Sequence, residues 1–322
     1  MANIYRRAFR VIVWLGDEIE GTWSAFEAIR LRSSSFEGTP VPYALLELLH
    51  RPWFRRVWVL QEVAAARRLW ITCGSQGIDG YSFCLGLKAL QPMYNTLPEF
   101  NLVPCITFLV RQDNAVAPLG QLLDMYHTHE ATKRHDKIFA LLGMRTDNLE
   151  TEELEPDYDL PWSQLYCRVL RTILHNEIDV KTWDNSEVAM IQCRLRILGE
   201  IESVSQYSGW GDEQRLIMKS KSFKTNPSDG YIEWTASYAL RSSAKSIQAG
   251  DFLALLDGCK NPTILRKSKD SLSIIMISGA VPMGIRDPEG DSISWSEVIE
   301  QAHYVSRPVT LIWDWTGLVK SV

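Results

Sequence analysis

The chain changes its hydrophobic rhythm once, beyond an acidic stretch and the amphipathic helix that follows it, and that change limits the folds open to it. Between Asp147 and Asp159 seven of thirteen residues are acidic (Asp147, Glu150, Glu152, Glu153, Glu155, Asp157, Asp159), with Pro156 among them. A charged run between two periodic segments reads as a solvated connector. Before it, apolar residues recur mostly at helical steps. After it Ile191, Cys193, Leu195 and Ile197 alternate with Gln192, Arg194 and Arg196, the period of a half-buried strand. With 322 residues, about two domains are expected. The reading is an α/β region over 1–146, the connector over 147–159, and over 160–322 a helix followed by a small, mixed, β-rich module.

In the first region Phe9 to Leu15 reads as a buried strand stopped at Gly16-Asp17, and a helix follows through Trp23, Phe26, Ala28, Ile29 and Leu31. Leu45 to Leu49 gives a short helix. Pro52 to Ala66 reads as one helix with Phe54, Val57, Trp58, Gln61, Ala64 and Ala65 on one side. Leu69 to Cys73 is a strand, and Tyr81–Tyr94, Leu102–Arg111, Leu119–His129 and Asp136–Met144 are helical runs. Trp162 to Asn176 is strongly amphipathic. Beyond it a helix is expected over Tyr231–Ser242 and strands at Phe252–Leu256, Thr263–Leu265, Leu272–Ile277 and Val309–Trp313, with turns at Asp257-Gly258, Asn261-Pro262 and Pro288-Glu289-Gly290.

A formal charge of −5 leaves no electrostatic footprint for nucleic acid. No apolar run approaches the ~18 residues of a membrane span, and the opening apolar stretch is too short for a signal peptide, so a cytoplasmic protein is expected. The six Cys lie far apart with no C-x-x-C, as reduced and mostly buried thiols. His127 and His129 stand two apart in a helical run and point different ways, so with His135 and Asp136 they make a poor metal set.

The common nucleotide-binding and hydrolase motifs are absent, and Cys73-Gly74-Ser75 reads as a strand end. The short basic clusters Arg55-Arg56, Lys219-Ser220-Lys221 and Lys267-Ser268-Lys269 read as solvated faces. Glu62 is the candidate for chemistry. On a helix it lies at i+4 from Trp58, which sets its carboxylate over a large ring in an apolar segment. Partial desolvation would raise its pKa, as suits a general acid/base or a group facing a developing cation on a bound sugar. The other reading is a structural ion pair with Arg55, Arg56, Arg67 or Arg68.

Several segments together resemble fungal heterokaryon incompatibility (HET) domain proteins: Ile4-Tyr5-x-x-Ala8 with Val11-x-Val13-Trp14-Leu15-Gly16, Arg51-Pro52-Trp53-Phe54-x-Arg56-Val57-Trp58-Val59-x-Gln61-Glu62, and Arg134-x-Asp136 to Gly143. Pro156-Asp157-Tyr158 with Leu165-Tyr166, and Gly250-Asp251-Phe252 through Arg266, fit the family's later segments. The resemblance implies non-self recognition leading to programmed cell death, through a protein partner or self-association of the HET domain. It also implies that the chain opens inside a family helix, without the preceding S-Y-x-W-G and W-I-D-x-x-C-I-N-Q strands, through truncation or a misplaced start codon. That would leave an unpaired edge on the Val11–Leu15 strand, and a non-functional fragment is one alternative. HET domains are distantly similar to flavodoxin-like TIR domains, some of which cleave NAD with a helix Glu in W-x-x-x-E. By that resemblance the fold is an incomplete flavodoxin/TIR-like domain with a helical extension. Glu62 would act on the nicotinamide ribose and Trp58 would shape the pocket, with NAD as substrate and no cofactor or metal expected.

Overall fold

Alternation decides the first sheet. The computed structural model describes residues 2–33, 43–94, 117–147, 154–174, 178–207, 213–219, 234–241, 247–268, 271–279, 281–282, 284–287, 289–301 and 306–315. After helix α1 (Ala2–Arg7), strand β1 (Val11–Trp14) buries Val11 and Val13 and exposes Ile12 and Trp14. Helices α2 (Thr22–Ser33) and α3 (Tyr43–Leu49) follow. Pro52 to Ala66 is not one helix but two pieces, a 3₁₀ turn over Pro52–Arg55 and α4 over Val57–Ala65. Arg56 between them is extended, because Val57 N–H donates to Glu130 O (2.9 Å) and Glu130 N–H to Arg55 O (2.7 Å). A tertiary bridge thus takes the backbone groups that a continuous helix would use.

Strand β2 (Leu69–Cys73) lies parallel to β1 with Ile12 opposite Trp70, and turns through Gly74-Ser75 into antiparallel β3 (Gln76–Asp79). Gly74, at φ +55°, supplies the left-handed residue a two-residue hairpin needs. The sheet order β1-β2-β3 leaves β1 at an edge among the described residues. Helix α5 (Gly80–Tyr94) packs against α2, with Phe83 near both Phe26 and Phe54. Helices α6 (Leu119–Tyr126) and α7 (Asp136–Leu142) follow, and α7 packs on α4, where the Gln61 side-chain amide donates to Ala140 O. The expected helix Leu102–Arg111 lies outside the described residues. Within the acidic stretch Asp147 accepts the Leu119 N–H and Leu154 is buried, whereas residues 155–159 are exposed or nearly so.

The chain divides into two compact units, the first of Met1–Leu122 and Thr128–Asp147, the second of Leu123–His127 and Asn148–Val322. Beyond the acidic stretch the second unit has amphipathic α8 (Trp162–Leu174), then β4 (Asp179–Thr182), β5 (Val188–Tyr207), β6 (Glu213–Lys219) and β7 (Thr235–Arg241). The helix expected over Tyr231–Ser242 is overturned. Its described part is β7, paired along its length with β6 from Lys219↔Thr235 to Glu213↔Arg241. Strands β8 (Phe252–Leu256), β9 (Thr263–Lys267) and β10 (Leu272–Met276) follow, then β11 (Ile285–Arg286), β12 (Ser292–Ile293), helix α9 (Trp295–Gln301) and β13 (Arg307–Asp314).

The β-rich module is larger than its sequence suggested, because ten strands join one sheet around β5. The first half of β5 pairs with β13 and the second half with β6, while β8 takes the opposite edge. The pairings β5–β13–β10–β9–β8–β5 therefore close a ring of five strands. Five directions cannot alternate all the way round a ring, so at least one neighbouring pair must be parallel. That pair is β10 and β13, with Leu272 opposite Leu311, and the crossover it requires runs through β11, β12 and α9. One core of the unit gathers Leu198, Ile201, Leu253, Ile264 and Ile275. On the α8 side Trp162 stacks on Trp315 and Tyr166 on Trp313, with ring centroids 6.1 and 5.6 Å apart. Among the described residues no helix is long and apolar enough to cross a membrane.

Candidate functional site

Helix α4 is apolar almost all round. Val57, Val59, Leu60, Gln61, Val63, Ala64 and Ala65 are buried, and the half-buried positions are Trp58 and Glu62, one turn apart. The structure thus brings both predicted site residues onto one stripe, flanked by buried neighbours. The one-sided face expected over Pro52–Ala66 is corrected, since α4 buries all its side chains but those of Trp58 and Glu62, and Trp58, expected on the face, is half-exposed.

Helix α1 packs against α4, and this contact supplies the partner that spacing did not reveal. The Tyr5 hydroxyl donates a hydrogen bond to the Glu62 carboxylate, and the Arg56 guanidinium adds a favourable field from the start of the helix. Both favour the ionised carboxylate. Burial opposes them and wins, so the Glu62 pKa lies above its ordinary value of 4.5. The Tyr5 pKa is raised as well, by burial first and then by the Glu62 charge and hydrogen bond. Of the four arginines named as ion-pair partners, Arg56 is the one that influences Glu62. Tyr5 lies in the Ile4-Tyr5-x-x-Ala8 motif, but nothing in linear spacing links it to a residue 57 positions on.

The other sequence candidates separate from this cluster. Cys73 ends β2 fully buried, and burial raises its thiol above the ordinary range, which is wrong for a nucleophile. Burial pushes Cys193 up to about 11 and Cys259 up to about 12. His127 Nδ1 hydrogen-bonds Asp124 O at the end of α6. Among the described residues no three His, Cys, Asp or Glu side chains gather as a metal site.

A second feature of the first unit is its outward sheet face. Ile12 and Trp14 are 60% and 55% exposed, and Phe9 just before the strand is 75% exposed. The Arg68 guanidinium lies 5.0 Å from the Phe9 ring and that of Arg10 lies 5.8 Å from Trp70.

The family model described as heterokaryon incompatibility protein (HET) matches residues 1–62. No curated protein and no solved structure matches the chain. The match takes in the outward residues of β1 and all four members of the cluster, Tyr5, Arg56, Trp58 and Glu62. Over residues 1–62, about a fifth of its length, this chain is similar to the heterokaryon incompatibility (HET) family.

Proposed function

We propose that the first unit acts in a fungal heterokaryon-incompatibility response, in the cytoplasm, as a surface that meets a second copy of itself or a protein partner and so leads to programmed cell death. The observation that carries this reading is the exposed apolar face of β1. Among the described residues β1 is an edge strand, with the large side chains of Ile12 and Trp14, and of Phe9 just before it, exposed, so that backbone groups and apolar surface lie together where another chain could pair. Within the matched segment this is the surface best suited to association. Self-association is tested by light scattering of the full chain over a range of concentrations. The native chain should show a mass rising above that of one 36.8 kDa copy. Ile12→Asp with Trp14→Glu, at exposed positions, should hold it at one copy with an unchanged melting curve. Equal masses for both proteins throughout would overturn self-association through this face.

A second reading rests on Glu62. A carboxyl held above its ordinary pKa beside a half-buried Trp in W-x-x-x-E supports a TIR-like fold that cleaves NAD as substrate. In it Glu62 faces the positive charge that builds on the ribose as nicotinamide departs, and Trp58 forms the wall. Glu62→Gln should then reduce NAD cleavage by about 100-fold or more. Tyr5→Phe removes a donor that lowers the Glu62 pKa, so the acidic limb of the rate profile should move to higher pH. A profile that does not move, with cleavage intact in Glu62→Gln, overturns the enzymatic reading. Folding gives the control. Because the folded state holds this proton more tightly than the unfolded chain, the Glu62 contribution to stability falls as pH rises above 4.5. Glu62→Gln therefore should not lower the melting temperature at pH 7.

A further inference from the structure

We propose that the groove between α8 and β4 in the second unit binds a small phosphorylated aromatic ligand of the nucleoside di- or triphosphate class. The groove has a volume of about 550 Å³, within the range of small-ligand sites, and Ser163, Cys167, Val180 and Thr182 are among its lining residues. It exists because α8 turns its apolar stripe (Trp162, Leu165, Tyr166, Val169, Leu170) inward, which leaves Gln164, Arg168 and Arg171 outward. Strand β4 is pinned beside that polar face. Thr182 Oγ1 donates to Ser163 O (2.7 Å), and the Asp184 carboxylate accepts the Ser163 N–H (2.9 Å).

Three cations line this groove, Arg168 and Arg171 from α8 and Lys181 from β4. None makes an ion pair with another described residue, whereas Arg194, Arg196, Arg266 and Lys219 of the same unit each have a carboxylate partner. In a chain of net charge −5, three unneutralised cations in one concavity form a local field for an anion. Two guanidiniums one helical turn apart and a nearby ammonium suit the several oxygens of a diphosphate or triphosphate. The first turn of α8 is already taken by Asp184, which places the phosphates farther along, between the arginines and Lys181. Trp183, one residue beyond the end of β4, also lines the groove and is 47% exposed. An indole left in water beside a cationic cluster offers a stacking surface for a base. Size favours a small ligand, and the adjacent Trp favours one that carries a ring over a bare polyphosphate. The sequence signal was present in Arg168-x-x-Arg171 and Lys181-x-Trp183, but only the fold brings the two pairs together.

Titration calorimetry of the full chain with ADP, tripolyphosphate and a decaglutamate peptide tests this assignment. Saturable ADP binding is expected, weakened about tenfold or more by Arg168→Glu with Arg171→Glu. Trp183→Ala should weaken ADP while leaving tripolyphosphate unchanged. All three positions are exposed, so an unchanged melting curve serves as the folding control. Absence of saturable ADP binding by the native chain, or ADP binding indifferent to the arginine pair, overturns the site. Tripolyphosphate or the peptide binding as tightly as ADP, with Trp183→Ala without effect, overturns the ligand class.

Discussion

Gly86→Ala is expected to destabilise the first unit by about 2 kcal/mol, although it replaces glycine with the best helix former. In an open helix the change would stabilise by up to about 1 kcal/mol. Gly86 lies within α5, where that helix crosses α2, and a Cβ built there would stand 2.1 Å from Ile29 O and 2.5 Å from Ile29 Cγ2. The obstacle is backbone, so no rotamer change relieves it and the two helices must part. Parting them strips contacts from Phe26, Ile29, Phe83 and Leu87, all fully or nearly fully buried. The urea midpoint of the first unit should fall, and Gly86→Val should fold worse still. A higher midpoint for the alanine variant would show that α2 and α5 do not approach as described.

In the second unit the largest effect is expected from Asp251. This carboxylate is 2% exposed and accepts a two-pronged contact from Arg266, Nε to Oδ1 and Nη2 to Oδ2, each at 2.8 Å. It also accepts the Gln248 N–H at 2.8 Å, which closes the turn leading into β8. The backbone of the same residue binds the edge of β5, since Ile201 N–H donates to Asp251 O. Asp251→Ala removes the two-pronged carboxylate from a largely buried guanidinium and opens this turn, so a loss of about 3–5 kcal/mol is expected. Arg266→Met alone should also be costly. The double variant should cost clearly less than the sum of the two, because neither charge is then left without its partner. Additive losses in that double-mutant cycle, read by urea denaturation, would show the pair is not coupled.

Where local rhythm and tertiary structure agreed, the elements were legible. Leu69 to Cys73 carries enough apolar character to mark a strand and the α8 stripe fixes both type and buried face, whereas Phe9 to Leu15, expected as a buried strand, is a strand over Val11–Trp14 that exposes Ile12 and Trp14. The errors in element type and bounds share one cause, backbone pairing with distant residues. Arg56 breaks Pro52–Ala66 because Glu130, far along the chain, claims its neighbours' backbone groups. The Tyr231–Ser242 segment has helix formers enough, yet Trp234 and Ala236 are buried and Thr235 is exposed, the alternation that pairing with β6 imposes. Strand β3 went unseen because Gln76-Gly77-Ile78-Asp79 holds one large apolar residue and gains its identity from β2. Ring closure through β5 and β8 leaves no periodic mark at all. At the candidate site the Trp58–Glu62 spacing was legible because it is local to one helix. Tyr5 was not, because its hydrogen bond depends on how α1 packs against α4.

The central claim is that the first unit acts through the outward face of β1 and not through chemistry at Glu62. The most direct measurement is cell death in a fungal host expressing, side by side and at matched protein levels, the native chain, Ile12→Asp with Trp14→Glu, and Glu62→Gln. Death is expected with the native chain and with Glu62→Gln, and survival with the β1 variant. Death that persists in the β1 variant and disappears in Glu62→Gln would contradict the claim and transfer the function to the carboxylate.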